Sequence, residues 1–229
     1  MPVDAILFDK DGTLFDFGLT WNAWAGTFID DLSGGDPARA AALALAAGFD
    51  RATGSFLAHS PFIAGTNRQG AQCLAAVLPG HSVEDIEHHL MISAADAPLS
   101  PAVPLVAFLD DLAGRGLMLG VMTNDTEYGA RAHLGAAKVL DHFDFIAGFD
   151  SGHGVKPDPG PLLAFCRAVG VAPARAAMVG DSTHDLVAGR AAGMITIGVL
   201  TGMAGVAELA PLADVVLPDI GHIPAWLAQ

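Results

Sequence analysis

Residues 3–14 read VDAILFDKDGTL. The run Val3–Phe8 is largely apolar and too short for a helix, so it reads as a buried strand. Asp9 stands directly behind it, and Gly12 and Thr13 make a turn after Asp11. An Asp-x-Asp before a turn is a weak signal alone, because Asp-Gly pairs are ordinary turn formers. Its meaning depends on what the rest of the chain places beside it.

Working outward, Phe15 to about Ala97 shows helical spacing and no strong strand. Breaks fall at Ser33-Gly34-Gly35-Asp36-Pro37, Ser60-Pro61, Leu78-Pro79-Gly80 and Ala97-Pro98. Asp36 before Pro37, and Ser82 after Gly80, have the chemistry of helix N-caps. The segment therefore reads as a bundle of about four helices. Beyond it strands and helices alternate. The spacing predicts strands at Leu117–Met122, Phe145–Ala147, Ala176–Val179, Ile195–Val199 and Val215–Leu217. It predicts helices at Pro101–Arg115, Asp125–Leu134, Pro159–Val169 and Asp185–Ala192, the first with Val103, Val106, Leu109 and Leu112 on one face. Such alternation implies an α/β fold, a doubly wound and mostly parallel sheet covered on both faces. Residues 1–14 and 98–229 would form this α/β core, and residues 15–97 a helical cap domain inserted after the first strand.

In open parallel sheets, functional groups gather at the C-terminal ends of the strands. Asp9 and Asp11 follow the first strand, and Thr123 and Asn124 follow the second core strand. Lys156, held extended by Pro157, lies in the loop after Phe145–Ala147. Asp181 ends the strand Ala176–Val179, with Asp185 four residues on. Polar residues at the ends of four predicted strands fall on one rim. Carboxylates crowded there repel one another and repel a phosphate, unless protons or a divalent cation neutralise them. An all-oxygen donor set without His or Cys suits Mg²⁺. Lys156 adds local positive charge, which lets an acidic chain hold a phosphate. A carboxylate nucleophile would split phosphate hydrolysis into two steps through an aspartyl-phosphate.

At these residues the chain resembles the phosphatase branch of the haloacid dehalogenase superfamily. The family's four motifs stand here as FDKDGTL, VMTND, GVKPDPG and VGDSTHDLVAGRAAG. The resemblance spans the whole chain and implies a Rossmann-like core with a helical cap. It implies Asp9 as nucleophile and magnesium ligand. It implies Asp11 as the acid that protonates the leaving alkoxide and then activates water, with its backbone carbonyl on the metal. Thr123, Lys156 and the Asn124 backbone would hold the transferring phosphoryl group, and Lys156 would also orient Asp9. Asp181 would bind magnesium directly, with Asp185 beside it. An acid at Asp11 separates phosphatases from dehalogenases, and the 15–97 segment contains no lysine, unlike the phosphonate-cleaving branch. The implied reaction is Mg²⁺-dependent hydrolysis of a small phosphorylated metabolite, phosphoglycolate by resemblance. A sugar-phosphate mutase of the same family is the alternative, and a phospho-accepting receiver-type signalling domain a more distant one. The first motif departs from the phosphoglycolate phosphatase pattern in continuing as Phe15-Asp16-Phe17, with Trp21 and Trp24 following.

Other features narrow the function. Twenty-five acidic residues against 11 basic ones give a net charge of −14, and the bases are scattered, which excludes a duplex-binding surface. No apolar run is long enough to span a bilayer, and the N-terminus has no signal-peptide pattern, so a cytoplasmic location without membrane attachment is expected. Cys73 and Cys166 read as reduced thiols. Gly65–Gly70 lacks the Lys-Ser/Thr pair of a phosphate loop. Arg51, His59, Asn67 and Arg68 are candidates in the cap for reading the leaving group, set against a plain surface role. Trp21 and Trp24 read as core or interface residues, and His184 as a residue at the site's edge. Lys10 is expected to point away from Asp9, since alternate residues of an extended segment face opposite ways, and to leave the chemistry untouched.

Overall fold

The computed structural model describes residues 3–228. Strand β1 (Ala5–Phe8) opens the chain. Five helices and a small ribbon follow: α1 (Phe17–Ser33), α2 (Pro37–Ala47), β2 (Phe49–Asp50), β3 (Ser55–Phe56), α3 (Pro61–Ala64), α4 (Asn67–Ala75) and α5 (Val83–Ala95). The alternating part then runs α6 (Leu105–Gly114), β4 (Met118–Met122), α7 (Glu127–Ala136), β5 (Phe145–Ala147), α8 (Gly160–Val169), β6 (Ala176–Gly180) and α9 (Thr183–Ala192). It ends with β7 (Ile195–Val199), α10 (Val206–Leu209), β8 (Val215–Leu217) and α11 (Ile223–Trp226). No described helix is long and apolar enough to cross a membrane.

The six core strands form one parallel sheet in the order β5-β4-β1-β6-β7-β8. Alternation along β1 explains how it is buried on both sides. Ile6 and Phe8 pack with Leu105, Phe108, Leu109 and Leu112 of α6, while Ala5 and Leu7 pack with Leu162 and Phe165 of α8. From β1 the chain builds outward to β4 and β5, then returns to β6 on the other side of β1. The order therefore reverses between β1 and β6, where a parallel sheet opens a crevice at its C-terminal edge. Asp9 and Asp181 are the residues that flank this crevice.

A separate apolar cluster lies within residues 17–97, built on Trp21, Phe28, Leu43, Leu74, Ile86 and Leu90 among others. Local signals set its helices. Asp36 Oδ1 accepts from Ala38 N at 2.9 Å, and the Ser82 hydroxyl accepts from Asp85 N at 3.0 Å in a capping box. The two linkers between cluster and sheet run side by side, with Asp16 N donating to Ser100 O at 2.8 Å and Ala102 N to Leu14 O at 2.9 Å.

Three sequence expectations are corrected. The segment after β1 is not purely helical, because Phe49–Asp50 and Ser55–Phe56 pair antiparallel across the turn at Gly54. Where the spacing starts a helix at Pro101, α6 begins at Leu105, since Pro101 is bridged to Phe15 in the linker pair. The buried face of α6 is Leu105, Phe108, Leu109 and Leu112, and Val106 is exposed.

Candidate active site

The end of β1 stays in the sheet ladder as far as Asp9, whose N–H donates to Val179 O at 2.8 Å. This fixes the Asp9 side chain at the crevice, where it is buried. Lys156 reaches it from the loop after β5, and its Nζ donates to Asp9 Oδ1 at 2.6 Å. The same ammonium lies 2.6 Å from Asp185 Oδ1, a second buried ion pair. Asn124 positions the lysine. Its amide accepts from Lys156 N and donates to Lys156 O, both at 3.0 Å. The expectation for Asn124 concerned its backbone; the side chain as clamp on Lys156 is an addition from the structure. Thr123, buried at the end of β4, lines the same cavity.

Asp181 sits at the end of β6 against two glycines. A Cβ at Gly12, whose φ is +82°, or at Gly202 would overlap its carboxylate. The Thr13 hydroxyl donates to Asp181 Oδ1 at 3.4 Å. Asp185 is placed by the N-cap of α9: its Oδ2 accepts from the Ser182 hydroxyl at 2.7 Å and from Ser182 N at 3.0 Å. Asp9, Asp181 and Asp185 each offer an oxygen within 4.8 Å of the others, and all three are buried.

The electrostatics follow from this crowding. Burial raises Asp9 to about 7, with Lys156 pulling it down and Asp185 and Asp11 pushing it up. Burial also raises Asp181 well above the carboxylate range, and Asp9 and Asp185 add to the effect. Burial alone would lower Lys156, but the Asp185 and Asp9 carboxylates overcome it and hold the lysine above its ordinary value. With all three carboxylates ionised, the one ammonium, which pairs with Asp9 and Asp185, would leave negative charge in excess, and the raised Asp9 and Asp181 express that excess. An oxygen-only donor set of three buried carboxylates fits a small hard divalent cation. The Asp11 carboxylate lies outside the three-residue cluster.

A match to the haloacid dehalogenase-like hydrolase family covers residues 3–193. The chain belongs to the haloacid dehalogenase-like hydrolases. Over 144 residues it is 36% identical to a phosphoglycolate phosphatase of Rhodospirillum rubrum, covering 62% of this chain and 58% of that one. The chain spans about half the length of the curated relatives it matches, 47% for the Neisseria meningitidis phosphoglycolate phosphatase, at 37% identity over 111 residues and 48% of this chain. The fold is shared with a crystal structure from Haemophilus somnus described as a predicted phosphoglycolate phosphatase, at TM-score 0.75 and 19% identity over 99% of this chain and 98% of that one.

In this haloacid dehalogenase-like hydrolase, Asp9, Asp11, Thr123, Asn124, Lys156, Asp181 and Asp185 all line one cavity between the sheet and the segment that holds the second apolar cluster, residues 17–97 (the cap, as a label of place only). Lys10 departs from expectation. It is turned from Asp9, but it is fully buried and lies 2.9 Å from Asp11 Oδ2, 3.0 Å from Asp125 Oδ2 and 2.9 Å from His133 Nδ1. The ammonium has only donors, so His133 Nδ1 accepts, and Nε2 then donates to Ala94 O of α5 at 2.7 Å. Burial, and then Lys10, push His133 below its ordinary value, which keeps this tautomer neutral. Trp21 of α1 donates from Nε1 to Asp11 Oδ1 at 3.0 Å, so it is more than a packing residue. Asp11 is therefore held from both the sheet side and the cap side. Arg51 and Arg68 do not reach the cavity: Arg51 pairs with Asp30 at 2.8 Å, and Arg68 with Glu84 at 2.9 Å and Glu87 at 2.8 Å. His59 is exposed and lines an adjoining pocket that shares Asp181 and His184 with the cavity, while Asn67 and His184 line the cavity itself. Asp125 and His133 were missed by sequence reasoning; Asp125, adjacent to Asn124 in the second motif, carried a positional signal, and His133 carried none.

Proposed function

We propose that the chain is a Mg²⁺-dependent phosphomonoesterase that acts on a small phosphorylated metabolite through an aspartyl-phosphate on Asp9. The observation that carries this reading is the Asp9–Lys156 pair at the sheet's reversal point, with Asp181 and Asp185 beside it and Asp11 on the same cavity. Lys156 occupies Asp9 Oδ1, which leaves Oδ2 to attack phosphorus. Lys156 and Thr123 would hold the phosphoryl oxygens as charge moves through the transition state. Asp11 would give a proton to the departing alkoxide, so that the P–O bond breaks without releasing a strong base. It would then take a proton from the water that cleaves the aspartyl-phosphate, regenerating Asp9 and freeing inorganic phosphate. Asp9, Asp181, the Asp11 carbonyl and Asp185 would hold magnesium, which when bound supplies the positive charge that keeps the carboxylates ionised and draws the phosphate in.

The relatives' names and the motif resemblance make phosphoglycolate the first ester to assay. The test is release of inorganic phosphate from a panel of phosphate monoesters, with magnesium and with chelator. Multiple turnovers in magnesium, and their loss in chelator, are expected. A single phosphorylation without turnover would point to a receiver, and an isomerised phosphate ester without free phosphate would point to a mutase.

A further inference from the structure

The cavity has two unlike halves. Its cap side is made of Phe17, Trp21, Trp24, Phe56, Phe62 and Ile63. These rings brace one another: Trp21 and Trp24 meet edge to face at 5.1 Å, Phe17 and Phe56 lie at 5.9 Å, and Phe56 stacks with Phe62 at 5.8 Å. Both indole N–H groups are spent, Trp21 on Asp11 and Trp24 on the Ser93 hydroxyl at 2.9 Å. Ring faces and edges are what remain for a ligand. The polar exception is Asn67, which lines the same cavity with its buried amide nitrogen Nδ2 unpartnered.

Positive charge on the cap lies elsewhere. Its arginines are Arg39, Arg51 and Arg68. Arg39 donates to Ser33 O at 3.2 Å, and the other two pair with the acids named above. On the sheet side Lys156 is shared by Asp9 and Asp185, and His184 Nδ1 donates to Ala64 O at 3.2 Å. A carboxylate on the leaving group would be buried against aromatic rings with Asp11 nearby and the neutral Asn67 amide as the side-chain donor left to it, and an ion without a charged partner is costly to desolvate. An apolar leaving group would gain from the same rings in proportion to the area it buries.

We infer that the substrate's leaving group is apolar, best aromatic, and carries one hydrogen-bond acceptor for Asn67, instead of a second negative charge. This substrate class rests on the phosphomonoesterase reading. Three primary alkyl phosphates separate the two: ethyl phosphate, 2-phenylethyl phosphate and phosphoglycolate, assayed with magnesium for kcat/KM. Ethyl and 2-phenylethyl phosphate differ in apolar area with similar leaving alcohols. The 2-phenylethyl ester is expected to exceed each of the others by about tenfold or more. Phosphoglycolate at or above the 2-phenylethyl ester would overturn the inference while leaving the phosphatase reading intact. No phosphate from any ester would overturn that reading itself. For Asn67, a pyridylethyl phosphate should gain about fivefold over 2-phenylethyl phosphate, with the ratio collapsing in Asn67→Leu. Because two substrates are compared on one protein, partial misfolding cancels. An unchanged ratio would remove Asn67 from the account.

Discussion

On the sheet side of the cavity, Asp9, Asp181 and Asp185 crowd together and two of them share one ammonium; on the cap side, aromatic rings pack on one another. The first region is held together against its own electrostatics. Burial and mutual repulsion raise Asp9 and Asp181, and fixed backbone at strand ends and the α9 cap keeps the carboxylates in place. The second region is a continuation of the cap's apolar cluster, in which Trp21, Trp24 and Phe28 belong to one helix face. Groups that cost stability are retained where they serve chemistry, whereas the rings stabilise the cap and shape the cavity at once. Substitutions on the sheet side should therefore act on turnover, and those on the cap side on substrate choice.

The largest effect that can break this contrast is at Lys156. Lys156→Met, assayed with saturating magnesium, should lower kcat by about 100- to 1000-fold for every ester alike, since the lost charge acts on the shared phosphoryl group. A loss confined to one leaving group would erase the division between the two sides. Lys10 sharpens it from behind. The Lys10→Met variant leaves Asp11 and Asp125 without their buried cation, and should lose about 3 kcal/mol of stability in urea unfolding. Wild-type stability in that variant would mean that the buried ammonium is not what balances those acids.

The smallest effect is a pH slope. Burial raises Asp9 to about 7, so between about pH 4 and pH 7 the folded, metal-free protein binds a proton that the unfolded chain has released. Stability from this group is therefore present at the acid end of that window and falls as pH rises through it. Asp181, shifted the same way, adds to the slope. In chelator, thermal melts should show Asp9→Asn gaining on wild type by roughly a few degrees as pH rises from about 5 to about 8. Magnesium should abolish the gain. A constant difference across that range would show that Asp9 carries no such strain.

The contrast also explains what the sequence could reveal. Strands β5, β7 and β8 agree with the spacing to the residue, because short apolar runs between turn residues have one reading in an alternating chain. The residues from Asp9 to Asp185 gather at one rim because topology alone brings strand ends together. Lys10 was legible only in direction. Alternation turned it from Asp9, but its pairing with His133 spans 123 positions and depends on where α7 packs. The ribbon of β2 and β3 has two residues per strand, too few to show a period. The arginines of the cap were visible as charges, but only packing shows that Asp30, Glu84 and Glu87 hold Arg51 and Arg68 away from the cavity.

The central claim is that Asp9 is the attacking group. The most direct measurement is phosphate release by Asp9→Asn in magnesium, on protein whose circular dichroism matches wild type. No turnover above the uncatalysed rate is expected, with the fold unchanged. Phosphate release at the wild-type rate from that folded variant would contradict it.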